Sequence, residues 1–157
     1  MGQRRLKLCD FGLAAYLHSQ PLFQLVGTPN YVAPEMIRGE CGYGLKVDVW
    51  ALGAILYILL VGYPPFLALE GNTADLYRAI LEDDVEFASP DWDEISEKAK
   101  DLISLTMHKD VAVRFSAEGV LTHPWIVVRL GSGFAKSTIT LFLSLYYKGD
   151  TPLVQQT

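Results

Sequence analysis

The sequence predicts a mainly α-helical fold, with at most a short β-hairpin near the N-terminus. Three observations predict it. Residues 49–60 form an apolar run without a single charged side chain, too long for an ordinary strand. Three later segments place apolar side chains three and four positions apart behind a residue that can cap a helix. The runs that read as strands, Leu6 to Cys9 and Leu13 to Leu17, are short and adjacent.

Taken in order, the first strand leads into Asp10. From Phe11 to Pro34 there is no acidic or basic side chain apart from His18, and Pro21, Gly27 and Pro29 punctuate the stretch, so it reads as a loop. Pro34 suits the first position of a short helix, because its missing N–H costs nothing there, and Gly39 ends it. Gly42 and Gly44 mark a turn. Asp48 precedes the apolar run to Leu60, which is apolar on all sides and therefore predicts a central helix enclosed by others. Gly62-Tyr63-Pro64-Pro65-Phe66 stops it.

Asn72 or Thr73 can cap a helix from Ala74 to Leu81, with Leu76, Tyr77, Ile80 and Leu81 on one face. Glu82-Asp83-Asp84 reads as a solvated turn. Ser96 can cap a helix through Met107, with Ala99, Leu102, Ile103 and Thr106 at helical spacing. Ser116 can cap another through Leu121, which His123-Pro124-Trp125 ends. No internal repeat is present. Residues 127–157 turn rich in Ser, Thr, Gly and Leu, so a boundary falls near Ile126. It separates a domain at 1–126 from an unassigned tail at 127–157 that is open to disorder.

Composition narrows the function classes. A chain of 157 residues, half of them hydrophobic, can bury a core and is not a disordered segment. A net charge of −5 argues against a generic binder of nucleic acid or of anionic membranes. Cys9 and Cys41 stand far apart in no metal-ligand spacing, and the N-terminus is not apolar, so a reducing, cytoplasmic location is expected. Met1-Gly2 does not open a myristoylation signal, because Leu6 stands where Ser or Thr is needed. Pro64-Pro65 interrupts the apolar stretch after residue 49, leaving too little to cross a bilayer. The run from Ile139 to Tyr147 is shorter still. Secreted or membrane proteins are thus disfavoured. Gly131 to Thr138 is no phosphate loop, since Ala135 precedes Lys136 where glycine is required.

Two motifs carry chemistry. Asp10-Phe11-Gly12 places a carboxylate on a turn, where its hard oxygens could meet Mg²⁺ bound to nucleotide phosphates, with Phe11 free to pack inward and Gly12 letting the backbone turn. Alone, the triplet reads first as an ordinary aspartate between strand and turn. The second is Gly27-Thr28-Pro29-Asn30-Tyr31-Val32-Ala33-Pro34-Glu35, whose last residue follows Asp10 by 25 positions. Asp48-Val49-Trp50-Ala51-Leu52-Gly53, then Gly62 to Phe66, Arg114, and His123-Pro124-Trp125-Ile126 follow in order.

The ordered set resembles the C-terminal lobe of serine/threonine protein kinases of the calmodulin-dependent group. Tyr43-Gly44-Leu45-Lys46-Val47-Asp48, Tyr57-Ile58-Leu59-Leu60 and Arg114-Phe115-Ser116-Ala117 are similar to doublecortin-like kinases in particular. The resemblance covers about residues 6–126 and implies a partial kinase lobe, an activation segment plus helices. It implies transfer of the γ-phosphate of ATP to protein Ser/Thr hydroxyls, with ATP and Mg²⁺ as cofactors and a protein as substrate. Asp10 then corresponds to the Mg²⁺ ligand, with Phe11 and Gly12 beside the nucleotide. Thr28 corresponds to the threonine that orients the catalytic machinery, and Gly27, Thr28, Pro29 and Tyr31 to the substrate loop. Glu35 and Arg114 correspond to a buried ion pair, and Asp48 to the carboxylate that holds the catalytic-loop backbone. For Glu35 and Asp48, simple complementation of helix N-termini remains the alternative.

The resemblance also points to departures. Gln24 stands where the group often has a phosphorylatable Thr, which leaves Ser19 as an exposed loop hydroxyl before Gly27. The glycine-rich loop, the ATP lysine with its glutamate, and the catalytic Asp and Asn lie upstream of Asp-Phe-Gly in the family, and residues 1–9 do not supply them. The chain alone is therefore expected to be inactive and to hold ATP·Mg weakly or not at all, with no catalytic residue of its own. The alternative is a non-catalytic kinase remnant that serves as an interaction module. Trp50, Ile55 or Leu59 are then expected to face solvent and offer a protein partner an apolar surface. The tail is no basic amphipathic helix of the kind calmodulin binds, and the doublecortin modules that give relatives microtubule binding are absent.

Overall fold

A computed structural model describes residues 7–17, 20–68 and 72–127, together with the backbone of a strand at 153–155. The described part is mainly helical, as predicted. Strand β1 covers Ala14–Tyr16, and a single 3-10 turn follows at Pro29–Tyr31. Helix α1 spans Pro34–Arg38, α2 Lys46–Val61, α3 Thr73–Glu82, α4 Glu97–Thr106 and α5 Ala117–Thr122. Strand β2, Leu153–Gln155, comes from the tail.

No local hairpin forms near the N-terminus among the described residues. Lys7 to Cys9 is irregular, and β1 pairs antiparallel with β2, Ala15 opposite Val154. The strand expected at Leu6 to Cys9 is thus absent from its described part, and the pairing partner lies far along the sequence.

Local chemistry explains the helix ends. Asn72 rather than Thr73 caps α3, its Oδ1 accepting from the Ala74 N–H at 3.0 Å. Ser116 caps α5 by accepting from Gly119 N–H at 3.2 Å. Ser96 holds the cap position of α4, but its side chain makes no cap hydrogen bond, and Glu97 supplies negative charge to the first turn instead. Helix α2 begins two residues before Asp48, which therefore sits in its first turn.

Helix α2 is the spine. It packs on α4 and on the 3-10 turn, while α3 packs on α1 and the same turn. Trp50 and Ala54 are fully buried along it. The expectation that Trp50 faces solvent is corrected: its ring lies parallel to Phe66, centroids 6.1 Å apart, with the Arg114 guanidinium 5.1 Å away on the ring. Ile55 and Leu59, by contrast, are 45% and 76% exposed, so α2 is not enclosed on every side. The segment after α3 returns to α2 through aromatic contacts, Trp92 lying 4.7 Å from both Tyr57 and Phe87 by ring centroid.

Gly53 marks the closest approach of α2 and α4. A Cβ built there would lie 2.5 Å from Met107 Cγ and 2.6 Å from Thr106 Oγ1. Thr106 cannot swing away freely, because its hydroxyl donates to the carbonyls of Leu102 and Ile103. Helix propensity alone would reward Gly53→Ala by roughly 1 kcal/mol. Overpacking opposes it by about 1–3 kcal/mol, so the substitution is expected to cost about 0–2 kcal/mol net in urea denaturation. A gain in stability would show that α4 can move away.

Candidate functional site

The structure sorts the site residues of the sequence into three places. Asp10, Phe11 and Gly12 form an exposed turn. Asp10 adopts φ 60°, a left-handed conformation that aspartate tolerates better than most residues. Phe11 is 55% exposed, so its side chain does not pack inward as expected, because the core on this side ends with Ala15. No group of three His, Cys, Asp or Glu side chains able to hold a metal ion occurs among the described residues. Mg²⁺ demands near-octahedral oxygen ligation and often takes only one or two carboxylates from a protein. Asp10 suits one such position, and this donor set does not make a complete site.

The residues expected to form a substrate loop gather elsewhere. Gly27, Thr28 and Tyr31 line a cavity of about 250 Å³ together with Leu13, Met36 and Asp48. Gly27 takes φ 102°, a conformation that favours glycine, and this bend turns the loop into the 3-10 helix. Pro29 is the first residue of that helix. The Tyr43 hydroxyl fastens the loop from outside by donating to the Gln24 carbonyl at 2.7 Å. Burial, and then the neighbouring Asp48 charge, push the Tyr43 phenol upward. The loop and the first turn of α2 therefore form one unit.

Asp48 is half-buried, and among the described residues no donor reaches its carboxylate. Burial pushes its carboxyl up to about 7. An unfolded aspartate titrates near about 3.9. The folded chain binds this proton more tightly, so the contribution of Asp48 to stability is complete below about pH 4 and fades as pH rises through about 7. Melting curves from about pH 5 to about pH 8 are expected to show the parent losing more stability than Asp48→Asn over that interval. Parallel losses would mean that ionised Asp48 is well solvated.

The third place is the clamp at the end of the loop. The Arg114 side chain is fully buried, and its Nη1 and Nη2 donate to Glu35 Oε1 and Oε2 at 2.6 and 2.8 Å, a bidentate pair. Two of its three remaining N–H donors are also used: Nε donates to the His108 carbonyl at 2.8 Å and Nη1 to the Lys46 carbonyl at 3.0 Å. Lys46 answers in kind. Its Nζ donates to the carbonyls of Val111 and Arg114, both at 2.6 Å. The sequence reading assigned Lys46 no role. Its acceptors are backbone carbonyls, which leave no mark in a sequence.

Residues 1–126 match the family described as the protein kinase domain. Among similar curated proteins, the serine/threonine-protein kinase DCLK3 of Mus musculus is 53% identical over 121 residues, 77% of this chain and 15% of that protein. The serine/threonine-protein kinase DCLK1 of Rattus norvegicus is 51% identical over 125 residues, 80% of this chain and 28% of that protein. A Drosophila sechellia protein, serine/threonine-protein kinase GM11705, is 47% identical over 127 residues, 81% of this chain and 17% of that protein. The chain thus spans less than a third of the length of each. A family match over most of the chain, together with the identity to serine/threonine kinases, places this protein in the protein kinase family.

Proposed function

We propose that this chain is the loop-and-helix portion of a cytoplasmic, ATP-dependent serine/threonine protein kinase, which moves the γ-phosphate of ATP to Ser or Thr hydroxyls of a protein substrate. The observation that carries this reading is the bidentate Glu35–Arg114 clamp, which fixes the end of the 27–35 segment to the helical body. In this reading the segment is rigid because positioning is most of what phosphoryl transfer asks of a protein. Gly27, Thr28, Pro29 and Tyr31 shape the ground on which a substrate peptide lies. Thr28 orients neighbouring catalytic groups, and Asp48 receives backbone N–H groups of a catalytic loop. Asp10 would hold Mg²⁺ through a carboxylate oxygen, with Phe11 and Gly12 beside the nucleotide; the ion would supply positive charge to offset that of the phosphates.

By itself the chain carries none of the groups that would cover the phosphates or accept the hydroxyl proton, so it is expected to be inactive. Titrating the purified chain with ATP·Mg should give no thermal shift, and no phosphate should reach a Ser/Thr peptide; transfer would contradict the inactivity. A full-length protein containing this segment should phosphorylate such a peptide. Asp10→Asn there should lower the rate by roughly 10²–10³-fold with the fold intact. Undiminished activity in that variant would remove Asp10 from the machinery.

A second reading is a non-catalytic interaction module, and the exposure of Ile55 and Leu59 on α2 favours it. Large apolar side chains on a central helix are commonly covered by another protein surface.

A further inference from the structure

We propose that Lys46 is a positioning residue for peptide phosphorylation: its ammonium holds the 111–114 loop against the start of α2, and through Arg114 it fixes the segment that ends at Glu35. The proposal deepens the kinase reading and rests on it. Lys46 is the first residue of α2. A cation there opposes the helix dipole, which disfavours positive charge at an N-terminus. The compensation comes from another segment. Lys46 Nζ donates to the carbonyls of Val111 and Arg114 at 2.6 Å each and to that of Ala112 at 3.4 Å. Three carbonyls match the three N–H donors of an ammonium.

The loop is built to present those carbonyls. Its N–H groups turn toward Asp110: Ala112 donates to the Asp110 Oδ1 at 2.8 Å, and Val113 and Arg114 donate to the Asp110 carbonyl at 3.2 and 2.9 Å. Spending the N–H groups on one side leaves carbonyls on the other, the arrangement of a helix C-terminus, where a cation is favoured. Lys46 and Arg114 then grip each other twice. The Lys46 ammonium donates to the Arg114 carbonyl, and the Lys46 carbonyl accepts from Arg114 Nη1 at 3.0 Å. The same guanidinium meets Glu35 through two nitrogens. Glu35 lies in the first turn of α1, which begins at Pro34, and the 3-10 turn ends just before it at Tyr31. A loop released from Lys46 carries Arg114 away from Glu35 and loosens the ground on which a substrate peptide lies, while nothing in the chain of contacts reaches Asp10.

The test compares Lys46→Met with the parent in a full-length protein containing this segment, by steady-state phosphorylation of a Ser/Thr peptide and by hydrogen–deuterium exchange. Methionine keeps the apolar stem and removes the three donors. The peptide KM is expected to rise roughly fivefold or more, with kcat and the KM for ATP within about twofold of the parent. Exchange in residues 29–39 should quicken roughly tenfold while residues 99–106 of α4 stay as protected as in the parent. Should Lys46→Met not fold, Lys46→Gln, which keeps one donating group, is expected to shift both readouts in the same direction by less. An unchanged peptide KM would overturn the positioning role. A fall in kcat alone, with faster exchange across α4 as well, is the mark of general destabilisation and would overturn it too. These failures occur with an active parent and leave the kinase reading standing, whereas a parent that phosphorylates no peptide would overturn both.

Discussion

Replacing Arg114 with alanine is expected to cost about 3–5 kcal/mol, enough to unfold much of the population of a domain whose total stability is of order 5–15 kcal/mol. The substitution leaves the Glu35 carboxylate without its guanidinium and strips donors from the carbonyls of His108 and Lys46. It also opens space beneath Trp50. Arg114→Lys should recover little, because an ammonium cannot reproduce the fork that meets Glu35 through two nitrogens. Urea denaturation of the parent, Arg114→Ala, Glu35→Gln and the double variant forms a cycle. The clamp predicts strong coupling between the two positions. Losses below about 1 kcal/mol, the range of surface pairs, would mean that the pair is effectively solvated.

Trp50→Ala is expected to be comparably severe, at about 3–5 kcal/mol. The side chain is wholly buried, and its removal leaves both the Phe66 ring and the Arg114 guanidinium facing a void. The cation–π contact adds about 0.5–2 kcal/mol to what area alone would give. Trp50→Phe should therefore keep most of the apolar contribution and lose part of the contact with Arg114. Because Trp50 and Arg114 touch, the two alanine variants should not add. Additive losses in the double variant would show that the guanidinium and the indole act separately.

The helices were legible because their causes are local. Asn72 and Ser116 announce α3 and α5 by the hydrogen bonds they accept, and the spacing of Leu76 and Ile80 states which face of α3 is covered. What escaped the sequence depends on distant partners. Trp50 reads as an exposed residue until Phe66 and Arg114 arrive from later segments. β1 pairs with residues 153–155 across most of the chain, and nothing near Ala14 signals it. The motif residues were legible as a set through the kinase resemblance, but their grouping was not. Thr28 shares a cavity with Asp48, while Phe11 stands in solvent, and only the path of the backbone decides this.

The Glu35–Arg114 hydrogen bonds join residues 79 positions apart. A ribosome adding about 5–20 residues per second needs roughly 4–16 s to cover that interval. Until Arg114 emerges, Glu35 stays hydrated and the indole of Trp50 has no lid. A nascent chain halted before that codon therefore holds helices without the tie that unites them, and is a natural client for chaperones. The order of translation makes this single arginine a late stitch of the body, placed after the segments it ties, at Glu35, Lys46 and Trp50, have been made.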